Sequence, residues 1–407
     1  MKKISKLFLL FFLITVSLFS QEKPADEFSL KLSGYVKTDV FYDTRQSVTA
    51  REGHLYLYPA PELKDANGKD LNSETSFNFL SVQSRINVTA SGTEALGAKI
   101  KGVIEADFFG NADTDVNGFR LRHAFVTLMW EKTSLLVGQY WIPMMIVESC
   151  PGTVSFNTGA PFQPFGRNPQ IRLTQSAGNL KFILAASSQR DIPSPGPDGA
   201  SSAYLRNSNM PIWDAHIQYA QNDFFAGAGA NFKMIKPRVK TSLNLETNST
   251  VKSLSFMAYG KYETGLFSMK AETIYGENMS DYLLLGGYAV KKINSTTDEH
   301  EYCNIRAVSG WTDISYGKDL SFGIFAGYTK NMGSPSNING QIYSRGSDIN
   351  YIYRISPRII FNTGKIQTAF ETEHTCAAYG KLNKKGKVYD NTLVSNTRLI
   401  AAFYYFF

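Results

Sequence analysis

The sequence predicts an all-β protein: a transmembrane antiparallel β-barrel of sixteen strands, with one long loop folded into its lumen. Three observations carry that expectation. The chain opens on an export signal, 1–20. Beyond it, segments of alternating polarity recur to the end, and no apolar stretch reaches the ~20 residues of a membrane-spanning helix. The connections between these segments are long and short by turns, as in a barrel with loops on one side and tight turns on the other.

The opening is built as a signal peptide. Lys2, Lys3 and Lys6 precede the apolar run LFLLFFLI (7–14), and a short tail ends at Ser20, the expected cleavage point. Its removal takes three lysines and lowers the formal charge from +7 to +4. Residues 21–29 then form a short periplasmic lead and 30–407 the barrel, placed in the bacterial outer membrane. With 22 Tyr, 28 Phe and 32 Gly, the chain is rich in interface aromatics and turn residues. Three cysteines (Cys150, Cys303, Cys376) far apart argue against a disulfide framework, and five scattered histidines offer no metal-ligand pair. No metal or cofactor is expected. The basic excess forms no run, so nucleic acid is not an expected partner.

Strands are expected at 30–41, 79–91, 98–108, 118–131, 134–140, 169–176, 180–189 and 210–220. They continue at 224–236, 251–262, 267–276, 302–316, 320–330, 347–355, 365–379 and 394–407. Short turns fall between them at places such as 92–97, 177–179 and 356–364. Long connections fall at 42–78, 109–117, 141–168, 190–209, 237–250, 277–301, 331–346 and 380–393. An even count closes the sheet and leaves no unpaired edge in lipid. No proline lies inside a predicted strand; Pro169 and Pro211 stand at strand starts.

Alternation assigns the faces. In 98–108, Ile100, Ile104 and Phe108 face lipid, while Lys99, Lys101, Glu105 and Asp107 face the lumen. In 79–91, Ile86 and Val88 oppose Arg85 and Asn87. In 347–355, Ile349, Tyr351, Tyr353 and Ile355 oppose Asn350 and Arg354. The pattern weakens in 118–131. There Arg120 and Arg122 share the lumen face, which puts His123 and Thr127 outside and suggests a neighbouring subunit against a half-polar wall. A soluble β-sandwich or β-helix is the alternative that would alternate as well.

The stretch 141–168 fits neither period. Pro143, Pro151, Pro161 and Pro164 remove ladder donors, and Gly152, Gly159 and Gly166 resist ordering. Its Ile142, Met144, Met145, Ile146, Phe156, Phe162 and Phe165 still need apolar cover. A long loop with such a load is expected to pack into the lumen and narrow it. Its Asn157, Thr158, Gln163 and Asn168 either hydrogen-bond a passing solute or satisfy the loop's own backbone. At the other end, Phe403, Tyr405 and Phe407 alternate as an interfacial girdle, and the terminal Phe407 is the expected signal to the barrel-insertion machinery.

Several segments resemble the DcaP-like family of outer-membrane porins: KGVIEADFFGN (101–111), FRLRHAFVTLMW (119–130), LLVGQYWIPM (135–144) and SFNTGAPFQPFGRNPQIRLTQ (155–175). GYVKTDVFYD (34–43) and QSR (83–85) are similar too; the likeness is densest over 30–176. The resemblance implies a homotrimeric, sixteen-stranded, anion-preferring channel for small carboxylates. Some members carry a periplasmic helical extension, for which 21–29 leaves no room.

Lumen parity gathers Lys31, Lys37, Arg85, Lys99, Lys101, Arg120, Arg122, Arg172, Lys181, Lys233, Lys261, Lys270, Arg306, Arg354 and Arg398, several of the lysines at strand ends. They stand against Asp39, Glu105, Asp107, Asp214, Glu272, Glu371 and Glu373. The expected constriction lining is Arg85, Arg120, Arg122, Arg167, Arg172, Glu105, Asp107 and Glu148, net positive and suited to anions. The competing reading makes these arginines structural partners of Glu105 and Asp107. Asp113, Asp115 and Asn117 imitate half a calcium loop but lack its twelfth-position glutamate. Expected partners are small anionic solutes, outer-membrane lipid and lipopolysaccharide. The rival functions are a phosphate-type anion channel, an outer-membrane lipase and a plugged structural barrel. No catalytic motif supports an enzyme.

Overall fold

A computed structural model describes residues 27–407; the predicted signal peptide lies outside them. Sixteen of its strands close a barrel. The first half comprises β1 (Ser29–Asp43), β2 (Arg85–Ala95), β3 (Ala98–Asp107), β4 (Arg120–Met129), β5 (Thr133–Trp141), β6 (Arg167–Ala177), β7 (Leu180–Ser187) and β8 (Ile212–Gln221). The second comprises β9 (Phe224–Ile235), β10 (Val251–Thr264), β11 (Phe267–Glu277), β12 (His300–Gly317), β13 (Leu320–Gly333), β14 (Ile349–Thr363), β15 (Ile366–Leu382) and β16 (Val388–Phe406). Each pairs antiparallel with its sequence neighbours. The ring closes where β1 pairs with β16 from Tyr35↔Phe406 to Asp43↔Arg398.

The outer face obeys one physical rule: it is apolar, while the inner face is polar except where it packs against the inserts. Leu30, Leu32, Phe77, Ile104, Leu121, Ile171, Leu184, Phe256, Phe322, Leu399 and Phe403 are all at least half exposed. In water such a surface would be a severe aggregation liability; around a closed barrel it is the lipid-facing band. That separates the fold from a soluble sandwich. Phe224, Tyr262, Tyr316, Phe361, Tyr405 and Phe407 are exposed beside the short turns and mark the interface there.

Where the structure departs from the alternation rule, a local irregularity explains it. The second strand is broken: Ser76–Leu80 pairs with the upper part of β1, and Arg85–Ser91 with its lower part. Between β3 and β4 the register slips by one residue, from Glu105↔His123 to Ala106↔Leu121. This bulge turns His123 inward, 5% exposed, and leaves Arg120 and Arg122 inward as well. The half-polar outer wall expected there, with its argument for a subunit contact, therefore does not exist. A second shift between Ile349 and Ile352 carries Ile349 to the inner side, fully buried.

Two further expectations fail on β12 and β14. Buried residues on β12 run Cys303, Ile305, Ala307, Ser309, Trp311, Asp313, so Arg306 faces outward and donates to the exposed Tyr275 hydroxyl at 3.3 Å. The expected turn at 356–364 is strand as far as Thr363, with Pro357 inside it. The β14–β15 ladder skips between Ile355↔His374 and Arg358↔Glu371, where a proline has no N–H to give.

Candidate functional site

The loop after β5 goes inside. Its neck is closed by Ile142 N–H donating to Gly166 O at 3.0 Å, and from there it bonds to strands on the opposite wall. Cys150 O accepts from Lys270 Nζ at 3.1 Å on β11, and Gly152 N–H donates to Asp313 Oδ2 at 2.9 Å on β12. The N–H groups of Val154 and Ser155 both donate to Glu371, and Asn157 Nδ2 to Glu373 Oε1 at 2.7 Å, on β15. Arg354 Nη1 on β14 donates to Ala160 O at 2.9 Å. Proline and glycine leave a loop with few internal ladders, so its backbone groups find partners on the wall. Met144, Met145, Ile146, Phe156, Phe162 and Phe165 are no more than 5% exposed and share one apolar cluster with Phe109, Trp311 and Phe325. The loop is a fixed insert.

Most of its polar side chains bond within the protein, though Thr153 Oγ1, Ser155 Oγ and Gln163 Oε1 are buried with no partner among the described residues. Asn157 holds Glu373 and the Gly159 N–H, Thr158 donates to Phe156 O, and Asn168 Oδ1 accepts from Arg190 N–H at 2.8 Å. Gln163 reaches Cys150 Sγ at 3.7 Å. Asn157 and Thr158 thus satisfy the loop's own backbone and Asn168 that of the next loop, while Gln163 bonds only a side chain.

A second insert was not foreseen. Met279 to Leu285, in the long connection after β11, is buried to 4% or less and joins the same cluster. Tyr282 O accepts from Phe165 N–H at 3.1 Å, which ties the two inserts together. Asp281 pins this one: it accepts from Lys233 Nζ on β9 and from Gln189 Nε2 at 2.7 Å. The triple Leu283-Leu284-Leu285 was the available signal, in a connection otherwise polar. Tyr56, Leu57 and Tyr58, from a short hairpin after β1, complete the inner core.

The expected constriction residues fall into two groups. Arg120 binds Asp107 through Nε at 2.7 Å and Nη2 at 3.3 Å, and lies over the Phe109 ring. Arg122 spans Glu105 at 2.7 Å and Asp107 at 2.9 Å, beside Trp141. Arg167 holds Asp191 at 2.7 Å against the Trp141 and Phe165 rings. Arg120, Arg122, Arg167 and Asp107 are all at most 7% exposed, so they build the wall and do not face open lumen. Burial raises an aspartate's pKa, yet for Asp191 the guanidiniums of Arg167 and Arg120 more than offset it and hold the carboxyl below its usual range.

The other group does face the lumen. Arg85 stands 3.5 Å from Glu105 and over the Tyr35 ring. It borders a cavity of about 600 Å³ with Lys101, Glu105, His123 and Tyr140. Arg172 donates to Gln170 Oε1 at 2.9 Å and to Trp141 O at 2.6 Å, over the Tyr140 ring, and has no carboxylate partner among the described residues. Glu148 is exposed at a second cavity, about 390 Å³, shared with Lys181, Asp223 and the Lys261–Glu263 ion pair.

Other lumen cations are tied up: Lys37 with Asp39, Arg354 with Glu373, Arg358 with Asp313 and Arg398 with Asp43. Arg358, Asp313 and Asp43 were missed as lumen charges. His123 points at Glu105 across 3.7 Å, and the exposed His374 reaches Thr397 Oγ1 at 2.9 Å. Asp113 accepts the Arg51 N–H and Asp115 the Asn111 N–H, which commits both carboxylates to the turn.

Compared with known proteins, the chain matches no family model and no curated protein. Its fold does match solved structures. The outer membrane channel DcaP of Acinetobacter baumannii superposes with a TM-score of 0.69 at 15% identity, over 93% of this chain and 97% of that one. The anion-selective porin of Comamonas acidovorans gives 0.56 at 12%, over 94% and 100%. OmpF of Salmonella typhi gives 0.52 at 13%, over 93% and 97%. At these identities the likeness is one of fold: the sixteen-stranded outer-membrane barrel.

Proposed function

We infer that this chain is an outer-membrane porin of the DcaP-like kind, a homotrimer that gives small anionic solutes, (di)carboxylates among them, passage by diffusion. One observation carries the anionic preference. Of the charges open to water in the lumen, Arg85, Lys101, Arg172 and Lys181 face Glu148 and Asp223. The further carboxylates Glu105 and Glu263 are taken up by Arg122 and Lys261, which leaves a modest cationic excess. Asp214, Glu272 and Glu371, lumen carboxylates that make no ion pair among the described residues, are buried to 4% or less and screened from the passage. A low-dielectric wall focuses the field of exposed charges into the water column. Guanidinium adds planar, paired donors that fit a carboxylate. The hold must stay weak, or the solute would not leave.

Two of the neighbouring solved proteins are described as a channel and as an anion-selective porin, which favours this reading over a lipase or a sealed barrel. Liposomes carrying the purified protein test it. Swelling should run several times faster in a small dicarboxylate salt than in a neutral sugar of similar mass. Equal rates would remove the anionic preference, and no swelling in either would point to a plugged barrel.

A further inference from the structure

The barrel wall is incomplete at one place. The β4–β5 ladder ends at Ala124↔Gln139. Above it β4 continues to pair with β3 as far as Arg120↔Asp107, and β5 with β6 as far as Trp141↔Arg167. Gly138 marks the last close approach: with φ +131° it lies so near β4 that a Cβ would stand 2.2 Å from Ala124 O. Beyond it the strands part, on the long-loop side of the barrel. The gap between them is a polar cavity of about 510 Å³. Bare strand edges are costly in hydrocarbon. Part of this one is met by Gln139, whose Nε2 donates to Arg122 O at 2.9 Å and Leu121 O at 3.4 Å.

The cavity has a basic lip and an apolar sill. Arg51 and Arg190 reach it from two different outer loops. Arg190 is exposed, and its guanidinium makes no hydrogen bond or ion pair among the described residues. Arg51 donates to Gly110 O at 3.3 Å and stands 4.0 Å from Asp113. The carboxylate within the cavity, Asp191, is committed to Arg167. Below lie Phe119 and Leu121, 63% and 53% exposed, continuous with the lipid-facing band. Phe119 meets Phe108 at 5.2 Å between ring centres, an aromatic pair of the kind found at membrane boundaries.

We propose that this lateral cleft binds the anionic, phosphate-bearing headgroup of an outer-leaflet lipid, with its acyl chains lying on Phe119 and Leu121. Charge and shape both select this occupant. Two under-partnered guanidiniums suit phosphate oxygens, and basic pockets between membrane-embedded elements bind lipid headgroups in this way. A free anion would find the arginines but would leave the apolar sill to ordinary bilayer. The inference is independent of what passes through the lumen.

Native mass spectrometry of the purified protein in neutral detergent tests it. The probes are phosphatidylglycerol, phosphatidylcholine and inorganic phosphate. The wild type should retain phosphatidylglycerol about tenfold better than phosphatidylcholine, the margin expected of paired charge-assisted bonds. Inorganic phosphate at equal concentration should not displace it. Arg51→Gln with Arg190→Gln should abolish the preference, and Phe119→Ser should weaken retention of both lipids. Arg51 and Arg190 lie outside the barrel ladders, so the heat-modifiable folded band should persist. Undiminished retention in the double variant overturns the proposal, as does displacement by inorganic phosphate, which would mark a free-anion site. A double variant that keeps its lipid but falls apart into monomers would also overturn it, and assign the cleft to a neighbouring copy.

Discussion

Deleting residues 148–163 raises single-channel conductance at least about twofold in a barrel that still inserts, because a pore's resistance is set by its narrowest section. The loop is held to the far wall at Asp313, Arg354, Glu371 and Glu373, so it occupies lumen whenever the protein is folded. The deletion leaves the sixteen strands and their turns intact. It does uncover the second insert, Met279 to Leu285, whose bond from the Phe165 N–H then hangs on a loop stub cut two residues away. Recordings should accordingly show a larger and noisier open level. Unchanged conductance in an inserted barrel would mean that the loop does not limit the passage.

Arg354→Ala is the single substitution expected to do most damage. The guanidinium is 1% exposed and donates to Ala160 O, Leu57 O and Thr375 Oγ1, each at 2.8–2.9 Å, with Glu373 at 3.3 Å. It therefore ties both the long loop and the hairpin after β1 to the wall. Truncation strands a buried carboxylate and two carbonyls, at a cost of about 3–5 kcal/mol. The urea midpoint of the folded, heat-modifiable form should drop accordingly. Arg354→Met with Glu373→Gln should recover much of it, since it is the lone buried charge that hurts most. A single variant as stable as the parent would show that the inserts hold themselves in place.

Much of this fold was legible because strand periodicity and loop chemistry are local properties. Sixteen segments, the alternation of connections, the terminal girdle at Phe403, Tyr405 and Phe407 and the apolar insert at 141–168 all follow from residues close in sequence. The errors have a common cause. Face assignments failed at His123, Ile349 and Arg306, each of them at a shift of register. A bulge is a property of two strands and leaves no mark in one. The pairing of Arg120, Arg122 and Arg167 was equally hidden. Parity says that a charge points inward; only register says which carboxylate lies at its height. Arg358 was lost behind Pro357, which reads as a turn until the skipped rung beside it is visible. The second insert was lost because Leu283-Leu284-Leu285 is too short to carry a period.

The same geometry redirects the selectivity test. Arg122 is the arginine a sequence reading would reverse first, but it is 2% exposed between Glu105 and Asp107. A glutamate there would gather three carboxylates and threaten the wall. Arg85 and Arg172 face the lumen and lend their field to it, over a Debye length of about 8–10 Å at physiological salt. The decisive measurement is the zero-current potential of the protein in a planar bilayer under a salt gradient. Wild type should give the sign of an anion-preferring pore, and Arg85→Glu with Arg172→Glu should move it towards or past zero. Lys31→Glu, near the strand end, should move it far less. A zero-current potential that is the same in wild type and the double variant would contradict the account, and leave these arginines as structure alone.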